Sequence, residues 1–188
     1  MAEYNPHYNA EKLKGLVLYV ADRSRDDPYF GATKLNKILY YADFRAYREL
    51  GHSITGADYQ KLPEGPAPRE LMRARQQLLN EGRITIEHRP VFNYIQQRIV
   101  PVKPIENPES LFSPDELAIV DDVLFSLRGK TGTEVSEMSH AEAGWKLVDY
   151  YQSIPYKTAW IAPKGEEPNE EALAIARDAL AEHTSRHL

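Results

Sequence analysis

Residues 33–72, TKLNKILYYADFRAYRELGHSITGADYQKLPEGPAPRELM, decide how this chain is read. Leu35, Ile38, Leu39, Ala42 and Ala46 recur at three- and four-residue spacings, the signature of one buried helical face. Thr33 is placed to cap that helix through its hydroxyl. Gly51 is placed to end it in a left-handed conformation. A second face carries Asn36, Tyr40, Asp43 and Tyr47, and a third carries Lys34, Lys37 and Tyr41. Residues 52–67 read as a loop with little regular structure. Pro63 and Pro66 within it, and Pro68 just after it, fix φ and remove N–H donors. Pro68 suits the first turn of a third helix, which runs to about Glu81 and stops at Gly82.

Outward from this stretch, the spacing of Leu13, Leu16, Val17 and Val20 predicts a helix over Ala10 to Arg23. Asp26-Asp27-Pro28 breaks it. Arg83 to His88 and Tyr94 to Val100 read as two strands of a hairpin, joined through Arg89 to Asn93. Pro101, Pro104 and Pro108 stiffen a linker over residues 101–110. Ser113-Pro-Asp-Glu116 is a capping box, opening a helix to about Leu127. A short helix is predicted over Thr133 to Met138. A second Ser-x-x-Glu signal at Ser139 predicts another helix, bearing Trp145, Leu147, Val148 and Tyr151. A last helix is predicted from about Asn169 to His183. The expected fold is mainly α with a small β-hairpin (α+β). It is one compact helical domain over residues 1–160 with a winged-helix-like helix–hairpin element, and residues 161–188 form a C-terminal helix packed on it.

The chain has 188 residues, a net charge of −5, twelve tyrosines and no cysteine. Without cysteine there is no disulfide framework, thiolate metal site or thiol nucleophile. The N-terminus lacks the charged-then-apolar order of a secretory signal, and no apolar run is long enough to span a bilayer. A cytoplasmic protein is therefore expected. An acidic chain repels phosphate backbones unless its basic residues are concentrated in one place.

No catalytic constellation is expected. The six histidines form no His-Glu-x-x-His pair, so no metal is expected. His140 lies near Ser136, Ser139 and Glu142, but no Gly-x-Ser-x-Gly elbow accompanies it. Asp121-Asp122 and Glu166-Glu167 are adjacent carboxylates, which point apart on a helix. Residues 129–132, GKTG, lack the full phosphate-loop pattern and read as a turn. The chain is read as a non-enzyme without cofactor. One alternative stays open. The helix after Pro68 carries Arg69, Arg73 and Arg75, and the hairpin adds Arg89 and Arg98, as a winged-helix DNA-binding regulator would. Glu70, Glu81 and Glu87 dilute that patch.

Thr33-Lys-Leu-Asn-Lys-Ile-Leu-Tyr-Tyr-Ala-Asp43 resembles the opening signature of the Panacea, or SocA-like, antitoxin-domain family. The similarity continues through Gly51 to Tyr59 and Leu62 to Pro68, and returns at Glu137 to His140, Trp145 and Ile154 to Tyr156. It covers about residues 10–160. Glu64, where the family more often has an aromatic or basic residue, and the small Ala67 depart from it, and bear on which partner is recognised. The resemblance implies a mostly helical domain that neutralises a cognate toxin by direct binding. The family's toxins include small alarmone-synthetase-like enzymes, one member type is an adaptor for a Clp-type protease, and members occur in phage-related operons. Under this reading Lys34, Lys37, Tyr40, Tyr41, Asp43, Tyr47, Tyr59, Glu64 and Pro66 are candidate partner contacts, with intramolecular packing as the alternative for each. Leu35, Asn36, Leu39, Gly65, Pro68, Ser139, His140, Trp145, Pro155 and Tyr156 are expected to hold the fold.

Overall fold

The structure, a computed structural model, describes residues 8–91 and 94–161. Helix α1 spans Ala10–Arg23, with the Asn9 side chain accepting from the Lys12 amide at 3.0 Å. Its predicted stripe of Leu13, Leu16, Val17 and Val20 is fully buried. Helix α2 spans Ala32–Leu50 and is the central element. It packs on α1, on the later helices and on the proline corner. It starts before Thr33, with Gly31 in the capping position and no side-chain cap. The lack of a side chain at Gly31 admits Gln96, whose Cγ would lie 2.9 Å from a Cβ there. Gly51 ends the helix at φ +79°, its amide donating to Tyr47 O.

The segment read as a loop contains a second hairpin. Strand β1, Tyr59–Leu62, pairs antiparallel with β2, Gly65–Pro68. The prolines do not prevent this, because the turn is only Pro63-Glu64. Leu62 and Gly65 close the ladder, and alternation then puts Pro66 and Pro68 opposite Lys61 and Tyr59, at positions that require no N–H. Pro68 therefore belongs to a strand, and helix α3 begins later, at Leu71–Asn80. The Arg69 amide still donates to Asp58 O at 2.9 Å, which extends the pairing past Pro68.

Strands β3 (Ile84–Val91) and β4 (Tyr94–Pro101) form the predicted hairpin, in the register Glu87 opposite Arg98. Helix α4, Pro114–Leu127, has the predicted capping box. Helix α5 spans Gly132–His140 and carries a capping box the sequence reading missed, between Thr131 and Glu134. Ser139 does not start the next helix. It lies inside α5 and its hydroxyl donates to Ser136 O at 2.7 Å. Helix α6 is only Ala143–Leu147. It stops short of Tyr151: Val148 turns extended at φ −103° and ψ 157°, and Tyr151 turns at φ +70°, while Gly144 packs against Thr158 and Ile154 of the returning chain. A 3-10 turn, Tyr156–Trp160, closes the described chain onto α2. The result is a mixed α+β domain, mainly helical, with helix α3 followed by a hairpin as in a winged helix. The predicted helix over residues 169–183 lies outside the described residues, as do Glu166, Glu167, His183 and His187. No described helix is long and apolar enough to cross a membrane.

Candidate partner-binding site

The tyrosine-bearing faces of α2 point inward. Tyr40, Tyr47 and Tyr59 are each at most 2% exposed. Their rings join Phe44 and Tyr156 in one aromatic cluster, with centroids 4.2 Å apart for Tyr40–Phe44 and 4.7 Å for Phe44–Tyr156. Tyr40 and Phe44 also meet Tyr59 edge-on, and Tyr47 lies under Trp160 at 5.0 Å. Such pairs add about 0.5–1.5 kcal/mol each beyond simple burial.

Asp43 is buried at the centre of this cluster. It accepts from the Thr55 amide at 2.7 Å, from the Thr55 hydroxyl, and from Tyr59 Oη at 2.7 Å. Burial pushes its pKa up, against these bonds, which favour the carboxylate. Asp43 thus ties the end of the loop and β1 to α2. Lys34 is equally enclosed. Its ammonium meets Asp27 Oδ2 at 2.5 Å and donates to Lys130 O at 2.7 Å, so the GKTG turn and the Asp26-Asp27-Pro28 break are clamped by one side chain. Lys37 has a poorer environment. Its ammonium donates to Pro66 O at 3.3 Å, and burial lowers its pKa from 10.5 to about 8. A Cβ at Gly65, where φ is +98°, would run into Ser139 Oγ and lie 2.8 Å from Lys37 Nζ. That close approach explains why a glycine stands at this corner.

The chain's closing segment clasps the corner. Trp145 Nε1 donates to Leu62 O at 3.2 Å, and Tyr156 Oη donates to Ala57 O at 2.8 Å. Lys61 Nζ donates to Val148 O at 2.9 Å and lies 4.2 Å from the Trp145 ring, on whose other side His140 stacks at 4.1 Å. The amide of Ile154 donates to Tyr59 O, and Gln60 bridges Ser153. Leu35 and Leu39 are core residues. Asn36 and Pro155 are half-buried, and Pro66 and Pro68 are buried in β2. Glu64 is exposed at the turn, with its carbonyl accepting from Ser136 Oγ at 2.8 Å. Most side chains proposed as contacts therefore sit inside the protein; Glu64 and the half-buried Tyr41 are the ones that reach its surface.

Of the five arginines of the DNA reading, Arg98 is buried, Arg75 is half-buried, and Arg69, Arg73 and Arg89 are exposed. Arg98 is 3% exposed and donates to Ser24 O and Asp27 O, each at 2.6 Å, and to Arg25 O at 2.5 Å. It serves the carbonyls of the turn that follows α1. Arg69 pairs with Asp58, and Arg89 with Glu87. Arg75 is half-buried, leaving Arg73 as an exposed arginine on α3. Among the described residues no three histidine or carboxylate side chains are placed to hold a metal ion. His140 is engaged with Trp145, and Ser139 is fully buried, so the two do not form an accessible nucleophile and base.

A model of the antitoxin SocA-like Panacea domain matches residues 35–146. The chain belongs to this family. The match begins in α2 and ends in α6, within the 10–160 span of the resemblance. A comparison with curated proteins returns no match. In this Panacea domain the matched residues contain both sides of the corner: the Asp43–Tyr59 bond and the Trp145 bond to Leu62.

A groove lies beside the aromatic cluster, between α2, α4 and the 3-10 turn. Its volume is about 330 Å³. Phe44, Leu127 and Met138 form apolar walls, and Arg45, Arg48 and Glu49 stand at its polar edge. Arg45 Nε donates to Glu49 at 2.8 Å and its Nη2 to Asp122 at 3.0 Å. Tyr41 also lines the groove, and its buried hydroxyl has no protein partner. The sequence held a signal for this surface. The stripe Lys34, Lys37, Tyr41 continues at helical spacing to Arg45 and Arg48. Its first half dives into the core and its second half emerges.

Proposed function

We propose that this chain is the antitoxin of a toxin–antitoxin pair and neutralises its toxin by direct, stoichiometric binding. Membership of the Panacea family carries this reading. The geometry agrees with a protein that acts through contact. Three of its buried charged groups, Lys34, Asp43 and Arg98, each hold segments together. On this reading the chain is not an enzyme, needs no cofactor and acts in the cytoplasm. The toxin class extends to small alarmone-synthetase-like enzymes, and an operon of phage origin is one setting for the pair. The test is co-expression with the adjacent gene. That gene alone should arrest growth, this chain should restore it, and the two products should co-purify. A harmless neighbour, or one still toxic beside this chain, sinks the proposal. A reconstituted turnover assay with a Clp-type protease separates inhibition from adaptor action: adaptor action shortens the toxin's half-life, simple occlusion does not.

A further inference from the structure

The groove offers more than a cavity. At about 330 Å³ it stands at the small end of ligand-sized sites. It has room for one large side chain, whereas a helix about 10 Å across would not enter. Its walls are apolar at Phe44, Val123, Leu127 and Met138. Its charged edge carries Arg45 and Arg48 against Glu49 and Glu142, whose charge acts on Tyr41; the polar groups with bonding capacity to spare are two donors. The Tyr41 hydroxyl has no protein partner. Arg48, 41% exposed, makes one hydrogen bond, to Glu49 at 3.2 Å, although a guanidinium has five N–H groups. The acceptor beside it is already taken, because Glu49 receives both Arg45 and Arg48. An apolar slot edged by spare donors complements an apolar side chain with an acceptor next to it. Trp160, 56% exposed on the adjoining turn, adds to a Trp, Tyr and Arg composition typical of binding hot spots.

We infer that this groove is where the toxin docks, receiving one apolar toxin side chain between Phe44 and Leu127 and an adjacent toxin carboxylate on Arg48. The inference rests on the antitoxin reading and specifies its contact. Tyr41 then donates to an acceptor that the toxin brings, and its hydroxyl gains a partner only in the complex.

The probe is the purified product of the adjacent gene, titrated calorimetrically into the full-length chain. Arg48→Glu repels the carboxylate, and Ser126→Trp fills the slot from α4. Each should weaken binding at least tenfold with the thermal midpoint of the free chain unchanged. Tyr41→Phe should weaken binding severalfold while the free chain melts at the same temperature or higher, since an unpaired buried hydroxyl has been removed. That opposite pair of effects distinguishes a contact from a structural residue. Wild-type affinity in both Arg48→Glu and Ser126→Trp overturns the inference and leaves the antitoxin reading standing. Failure of the wild-type chain to bind the product overturns both. If Arg48→Glu instead lowers the chain's own midpoint with unchanged affinity, the groove belongs to another part of this chain. If Ser126→Trp turns a dimer into a monomer with unchanged affinity, it belongs to a second copy. Either result also overturns the inference.

Discussion

Asp43 and Lys37 stand less than two turns apart on α2, and their buried charges have opposite consequences. Asp43 satisfies the Thr55 amide, the Thr55 hydroxyl and Tyr59 Oη together. Asp43→Ala leaves those donors buried without an acceptor, which should cost about 3 kcal/mol. Asp43→Asn retains one acceptor and should cost less. Urea unfolding checks this ordering, and equal midpoints for the two variants contradict it. Lys37 has a single long hydrogen bond, and its pKa falls to about 8. A lysine with a lowered folded pKa binds its proton less readily folded than unfolded. Its charge therefore opposes folding below about pH 8, and the penalty is relieved as pH rises from there toward 10.5. Glu64 is the charged group that acts on it. The usable window ends near 10.0, the ordinary tyrosine value, because buried Tyr40 and Tyr59 hold their protons in the fold and lose stability above it. Between about pH 8 and 10 the wild type should gain roughly 2–3 kcal/mol relative to Lys37→Met. Parallel profiles for the two proteins show that Lys37 is not the group responsible.

At the scale of elements, local signals were legible and long-range ones were not. The bounds of α1 and the capping box of α4 follow from spacing and from Ser113 and Glu116 alone. The β1–β2 hairpin was hidden because prolines at Pro66 and Pro68 argue against a strand until the register shows they owe no hydrogen bond. Ser139 carried a local capping signal that lost to tertiary packing, since its buried side chain lies against Gly65 of the corner, elsewhere in the chain. Arg98 shows the same limit. Alternation along β4 puts it on the face of Gln96, but only the folded chain shows that this face covers the carbonyls of the turn after α1. A planar fork reaching several carbonyls is not replaceable by an ammonium. Arg98→Lys should therefore destabilise the protein by about 2 kcal/mol, read from the urea midpoint. A gel shift with the operon's own promoter should be unaffected by this substitution. If DNA binding occurs and Arg98→Lys abolishes it without a stability loss, the internal role assigned to Arg98 is wrong.

Across the whole molecule, the Panacea domain is closed by contacts between distant segments. The corner at residues 57–62 is held by residues 145–156 through Trp145, Val148, Ile154 and Tyr156. The sequence resemblance placed motifs at both ends, yet nothing in either motif says that they touch. Their contact also explains why the tyrosines of α2 are enclosed. The clasp presses the corner over them, and the part of the helix left at the surface lies at Tyr41, Arg45 and Arg48. The two segments should then open as one cooperative unit, because the closing segment's backbone bonds at Tyr151, Gln152 and Ile154 run to β1, and β1 bonds to it along the edge that β2 leaves free. Trp145→Ala removes the indole bond to Leu62 and the ring beneath Lys61, and should raise amide hydrogen exchange at Lys61, Tyr151 and Ile154 together, by about tenfold for a loss near 1.4 kcal/mol. Amides in the middle of α1 should exchange at an unchanged rate, since global unfolding governs them. Faster exchange confined to Lys61, with Ile154 unaffected, would mean that the corner and the closing segment open independently and that the clasp is not a unit.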